Sequence, residues 1–166
     1  MQLSQIMKVI PIIKPQDITA GLSSDVVNMA KWNHLAIVLI AGAWAGGTAA
    51  LTVEACDNNT PTTHPAMDFN YRIATMDESA LSDVWGALTW STSTGITLPN
   101  TANRATIIEL DAAEVAANKV AGVAANAGYH RVRITIAAPS SADFLCAIAI
   151  LSEGRYLEDL LKTAID

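Results

Sequence analysis

In two stretches, His34 to Ala41 and Ala142 to Leu151, apolar residues occupy alternate and intervening positions alike. A strand of that composition is covered on both faces. Elsewhere the pattern has a period of two, which marks strands with one buried and one wet face. Met67, Phe69, Tyr71 and Ile73 alternate with Asp68, Asn70 and Arg72, and Val132, Ile134 and Ile136 alternate with Arg131, Arg133 and Thr135. Further strands are expected over Thr48 to Cys56, Val84 to Trp90 and Arg104 to Leu110. The first of these is expected to form a hairpin with His34 to Ala41 through the connection Gly42 to Gly47. Roughly seven or eight strands separated by turn signals predict a mainly β fold, a β-sandwich with jelly-roll connections as one form of it.

Met1 to Thr19 reads as an extended N-terminal arm, because Val9, Ile10, Ile12 and Ile13 are apolar while Pro11 and Pro15 remove backbone donors and exclude a central strand position. Residues 20–166 then make a single sandwich domain. Gly21 to Trp32 fits either a short strand or a helical turn. Met76 to Ser82 reads as an acidic turn, and Ser91 to Asn103 as a polar loop. Asp111 followed by Glu114 fits a helix capping box at the head of the Ala-rich run Ala112 to Ala125, a run that would also suit an extended connection. Leu157, Leu160, Leu161 and Ala164 have helical spacing, so a short C-terminal helix is expected over Tyr156 to Ile165.

Composition narrows the function classes. A length of 166 residues fits one domain burying roughly two thirds of its unfolded surface. With 51% hydrophobic but 5% aromatic residues, the core must be built from small and β-branched side chains. Net charge is −6, and Arg131 with Arg133 is the only close basic pair, which argues against a nucleic-acid partner. The charge-free run Leu35 to Leu51 has the length to raise a membrane span, yet Gly42, Gly46 and Gly47 favour a turn there, so no membrane partner is expected. Met1 to Lys8 does not read as a signal peptide, and assembly in a cytoplasm is expected. Cys56 and Cys146 each stand alone in a predicted strand, as buried free thiols rather than a disulfide.

Candidate chemistry is thin. Asp57, His64 and Asp68 surround one loop, but His34, His64 and His130 lack ligand spacing, so neither a metal nor a cofactor is expected. Ser140 and Ser141 lie in a Pro-containing turn with no GxSxG, and Asp77, Glu78 and Asp83 read as a solvated turn. The glycines at 42, 46 and 47 lack the register of a phosphate cradle. No catalytic residue is assigned, and the protein is not expected to be an enzyme. Trp44, Trp85 and Trp90 fit two roles, anchors at subunit contacts or a carbohydrate-stacking platform. The interface candidates are therefore Val9, Ile10, Ile12, Ile13, Trp44, Trp85 and Trp90.

With the strands placed, Ser24 to Met29, His34 to Leu39, Gly42 to Ala49, Ile108 to Ala112, Val132 to Ile134 and Ala149 to Tyr156 together resemble small structural proteins of tailed bacteriophages. The resemblance runs from residue 20 to 156. Ala112 to Ala127 and the C-terminal helix depart from it. It implies a virion component, a capsid decoration or cement protein with a β-sandwich fold that binds the major capsid protein and forms a homo-oligomer, expected as a trimer. Alternatives are a tail or head–tail connector subunit, or a carbohydrate-binding host-surface adhesin. Tryptophans buried between subunits would favour the shell protein; exposed ones would favour the adhesin.

Overall fold

A computed structural model describes residues 6–75, 84–98, 102–117, 129–139 and 141–154. The expected acidic turn, the Ala-rich run beyond residue 117 and the C-terminal helix lie outside them. In chain order the elements are β1 (Lys8–Asp17), β2 (Leu22–Ser23), β3 (Val27–Asn28), β4 (Trp32–Trp44), β5 (Ala49–Cys56), β6 (Ala66–Met67), β7 (Phe69–Thr75), β8 (Thr89–Ser91), β9 (Ile96–Leu98), β10 (Arg104–Asp111), α1 (Ala112–Ala117), β11 (Arg131–Ile136) and β12 (Asp143–Gly154).

The strands form two antiparallel sheets. One runs β1-β12-β4-β10-β7-β8; the other runs β2-β11-β5-β6, with β3 also on β11 and β9 also on β5. Leu35, Ile37 and Leu39 of β4 point inward with Ala147, Ala149 and Leu151 of β12, and they join Leu51, Val53, Val132 and Ile134 of the other sheet in one core. The expected alternation holds: Val132, Ile134 and Ile136 are buried, while Arg131, Arg133 and Thr135 face out. At Asp68 the chain leaves the second sheet and enters the first, which places Met67 and Phe69 on opposite walls of the core.

The expected hairpin is corrected. β4 pairs with β12 and β10, whereas β5 pairs with β11, β6 and β9, so the two strands lie in different sheets. Each carries a complete inward apolar row, and facing each other across the core buries both rows. The crossover is made by Gly46 (φ 124°) and Gly47 (φ 87°), in the region open to glycine. It is fixed from β12 and the residues before it. Ser141 Oγ donates to the Gly46 carbonyl, and the buried Asp143 Oδ1 accepts from the Ala45 N–H at 2.7 Å.

The free arm is corrected too. Residues 8–17 are the edge strand of the larger sheet, and Ile10, Ile12 and Ile13 are buried at 4–5% exposure. Register shifts between Pro11 and Ile13, and between Ile13 and Gln16, insert extra residues into β1, so that Ile12 and Ile13 both turn inward. Both prolines are tolerated because only one side of β1 is paired. Three other stretches differ in extent. Gly21 to Trp32 holds the short strands β2 and β3, the polar loop at 91–103 contains β9, and of Val84 to Trp90 only Thr89 and Trp90 enter a strand, with an isolated bridge from Trp85 to Ala74. One half of the capping box forms as expected, the Glu114 carboxylate accepting from the Asp111 N–H at 3.0 Å, while Asp111 Oδ1 meets His34 Nδ1 at 3.1 Å.

Two consequences can be measured. Gly95 adopts φ 81°, and a Cβ there would lie 2.1 Å from the Leu51 carbonyl oxygen. Gly95→Ala is expected to cost more than about 1 kcal/mol in urea unfolding. Burial pushes the Cys56 thiol up from 9.0 to about 11. Between those values the unfolded chain releases a proton that the folded one keeps, so stability is full below pH 9.0 and falls as pH rises toward about 11. Thermal melts across that range should show a decline that Cys56→Ala reduces.

Candidate assembly surface

The outer faces of the two sheets differ in kind. On the smaller sheet the outward face carries a network of polar groups bonded to one another within the chain. Ser23 and Thr135 share a hydroxyl contact at 3.0 Å, and Arg133 Nε donates to Glu54 Oε2 at 2.6 Å. His64 Nδ1 approaches the same oxygen at 3.2 Å, and Arg131 Nε donates to Asn59 Oδ1 at 2.6 Å. Glu54 sits at 12% side-chain exposure, its charge matched by Arg133 at 17%. Such a face is built to meet water.

The larger sheet is apolar outside as well as inside. Pleating sends Ala36, Val38 and Ile40 of β4 away from the core, and the registers place them beside outward residues of their neighbours. Pro11, Ile148, Val38 and Ile107 form one row across four strands. Val9, Ile150 and Ala36 form the row on one side of it, and Cys146, Ile40 and Ala105 the row on the other. Val9 and Phe144 remain 49% exposed and Ile40 38%, while Val38, Ile107, Ile148 and Ile150 are half-buried. Full burial of one such side chain is worth about 1.5–3 kcal/mol, of which the single chain leaves the share of the still-exposed area unrealised, most of it at Val9, Phe144 and Ile40. Charged groups stand at its margins: Lys14 on β1, Arg72 on β7, Glu109 on β10, and the His34–Asp111 pair at 3.1 Å.

The residues expected from sequence to form contacts are dispersed. Val9 lies on the apolar face, while Ile10, Ile12 and Ile13 belong to the chain's own core. Trp44 packs partly against the core and donates from Nε1 to the Gly47 carbonyl at 3.2 Å. Trp85 and Trp90 are 39% and 56% exposed, toward the β8 edge. Val38, Ile40, Ile107, Phe144, Ile148 and Ile150 were not singled out from sequence, although the double apolarity of β4 and β12 was their signal.

Trp90 also lines an open cleft of about 410 Å³ with Met67, Asp68, Ser93 and Glu114. Asp68 Oδ1 accepts the Ser93 N–H at 2.7 Å. Among the described residues no three His, Cys, Asp or Glu side chains are grouped to hold a metal ion, and no helix is long and apolar enough to cross a membrane. Cys56 and Cys146 are both free.

No family model matches the chain, and no curated protein matches it in sequence. Among solved structures it is similar to the SPBc2 prophage-derived protein YomS, with 10% identity over 87% of this chain and 92% of that one, at a TM-score of 0.45. It is also similar to the infectious bursal disease virus VP2 subviral particle, with 10% identity over 96% of this chain and 43% of that one, at a TM-score of 0.23.

The polar face supplies a direct test of its own wiring. Glu54→Ala leaves Arg133 desolvated without its carboxylate, which should cost about 3 kcal/mol in denaturant unfolding. In an Arg133→Met background the same change should cost much less, since no buried cation is then orphaned.

Proposed function

We propose that this protein is a structural component of a bacteriophage virion that decorates the capsid and stabilises it through subunit contacts. One observation carries the reading: a two-layered β fold with one water-adapted outer sheet and one apolar outer sheet is shaped as a building block, wet on one side and adhesive on the other. The sequence resemblance to phage structural proteins points the same way. We read the order β1-β12-β4-β10 opposite β2-β11-β5-β6 as jelly-roll connectivity, an architecture that viral shell proteins and lectins share. The net charge of −6 favours the outside of the shell, where packaged DNA does not repel it.

Particles made without the protein are expected to assemble and fill, then to lose their genome at lower temperature or milder osmotic shock than complete particles. Equal DNA retention with and without the protein overturns the reading.

A second reading, a carbohydrate-binding adhesin, has its own support in the exposed Trp90 ring beside Asp68 and Ser93 in the 410 Å³ cleft. The two separate on one variant. Under the shell reading, phage carrying Trp90→Ala adsorb to cells at the wild-type rate; an adsorption defect with normal DNA retention selects the adhesin.

A further inference from the structure

We propose that the outer face of the larger sheet is covered by the same face of a second copy of this chain, the two sheets lying against each other. This deepens the assembly reading and rests on it for its biological setting.

The size of the face fits. Five strands of seven residues or more, β1, β12, β4, β10 and β7, lie side by side. At about 4.8 Å between strands and about 3.4 Å per residue, the width of five strands and the length of β10 give a projected face of roughly 24 by 27 Å, or about 650 Å² before side-chain relief is added. A stable pair needs about 800 Å² from each partner. The apolar rows cross β1, β12 and β4, the middle one continues to Ile107 of β10, and Glu109 and Arg72 close them on the β10 and β7 side, so a dry patch is flanked by a wet one as at an interface rim.

The charges select the occupant. Lys14 and Arg72 contribute positive charge to the rim, and Glu109 with Asp111 contributes negative charge. A partner of uniform sign would leave one set opposed by like charge. A second copy presents the same mixture, and a two-fold relation sets each sign against a different part of its own pattern. The shape agrees: Ala36 and Ala105 beside Val38, Ile40, Ile148 and Ile150 make a relief of small and large side chains into which an identical face interdigitates at the usual sheet separation of about 10 Å.

Cys146 supplies a native reporter, since it sits on this face beside Ile40 while Cys56 is fully buried in the other sheet. The full-length protein is examined by light scattering and, in parallel, labelled with a maleimide from nanomolar to micromolar concentration, the labelled cysteine being located by mass spectrometry. The expected result is a mass of two 17.5 kDa chains, or of an even number of them, at micromolar concentration, with Cys146 labelling slowed about tenfold or more relative to the dilute protein. Ile148→Lys should give a monomer whose Cys146 labels at one rate throughout. Because that substitution sits at the centre of the sheet, a Val9→Lys, Phe144→Lys variant, changed at two half-exposed positions, should weaken association with an unchanged thermal melt.

A wild-type monomer with constant Cys146 labelling overturns the proposal, and so does an oligomer in which Cys146 labels freely. The virion reading fails separately: a protein that self-associates as described yet is missing from purified particles leaves the pairing standing and removes the capsid role. A protein present in particles but monomeric in solution removes the pairing alone.

Discussion

β4 is hydrogen-bonded on both sides, to β12 and to β10, and a strand held in this way cannot choose where its side chains go. Pleating divides them between two faces, and one core can cover only one face. Leu35, Ile37 and Leu39 take the inside; Ala36, Val38 and Ile40 are left outside. A slip of one residue would exchange the two sets, and because both are apolar the penalty that normally fixes register is reduced. Three features restore it. The inward set is the bulkier, the partner β10 turns Glu109 and Asp111 to the outer face and Ile108 and Leu110 to the core, and Asp143 clamps the crossover after Trp44. Most of the molecule follows from this arrangement: the core on one side of β4, and an apolar exterior on the other.

Much of this was legible in the sequence. Period-two alternation located β7 and β11 with the correct faces, β10 was placed as a strand, the double apolarity of β4 and β12 announced an unusual second face, and Asp111 with Glu114 marked the start of α1. What failed was pairing. Gly46 and Gly47 fit a tight hairpin and a sheet-to-sheet crossover equally well, and the difference lies in contacts from Ser141 and Asp143, about a hundred residues away in sequence. The N-terminal segment failed for a related reason. Prolines exclude a central strand but not an edge, and the bulges that turn Ile12 and Ile13 inward have no local signature. As for the outer face of the larger sheet, its apolar character was foreseeable from composition, but its membership was not, because only register shows that Ile107, Val38 and Ile148 are neighbours.

The contrast between the two outer faces reflects two ways of handling polar groups. On the smaller sheet a buried carboxylate is acceptable because Arg133 and His64 both reach Glu54. That network is rigid and already complete, which makes it a poor place for another protein to dock: a partner would have to replace good hydrogen bonds with others no better. The larger sheet asks for no such exchange. Covering it displaces water from hydrocarbon and breaks little.

An open sheet normally sticks by its rim, where unpaired N–H and C=O groups invite another strand and growth has no natural end. The rim at β1 is a poor template. Pro11 and Pro15 interrupt the row of donors, Lys14 places a charge between them, and two bulges twist the backbone out of the plane that a visiting strand would need. With strand addition discouraged at β1, the apolar area left there is a flat face of limited extent, which is used up once it is covered. An apolar face of this kind, set behind an edge that discourages strand addition, gives contacts that saturate instead of propagating into fibres.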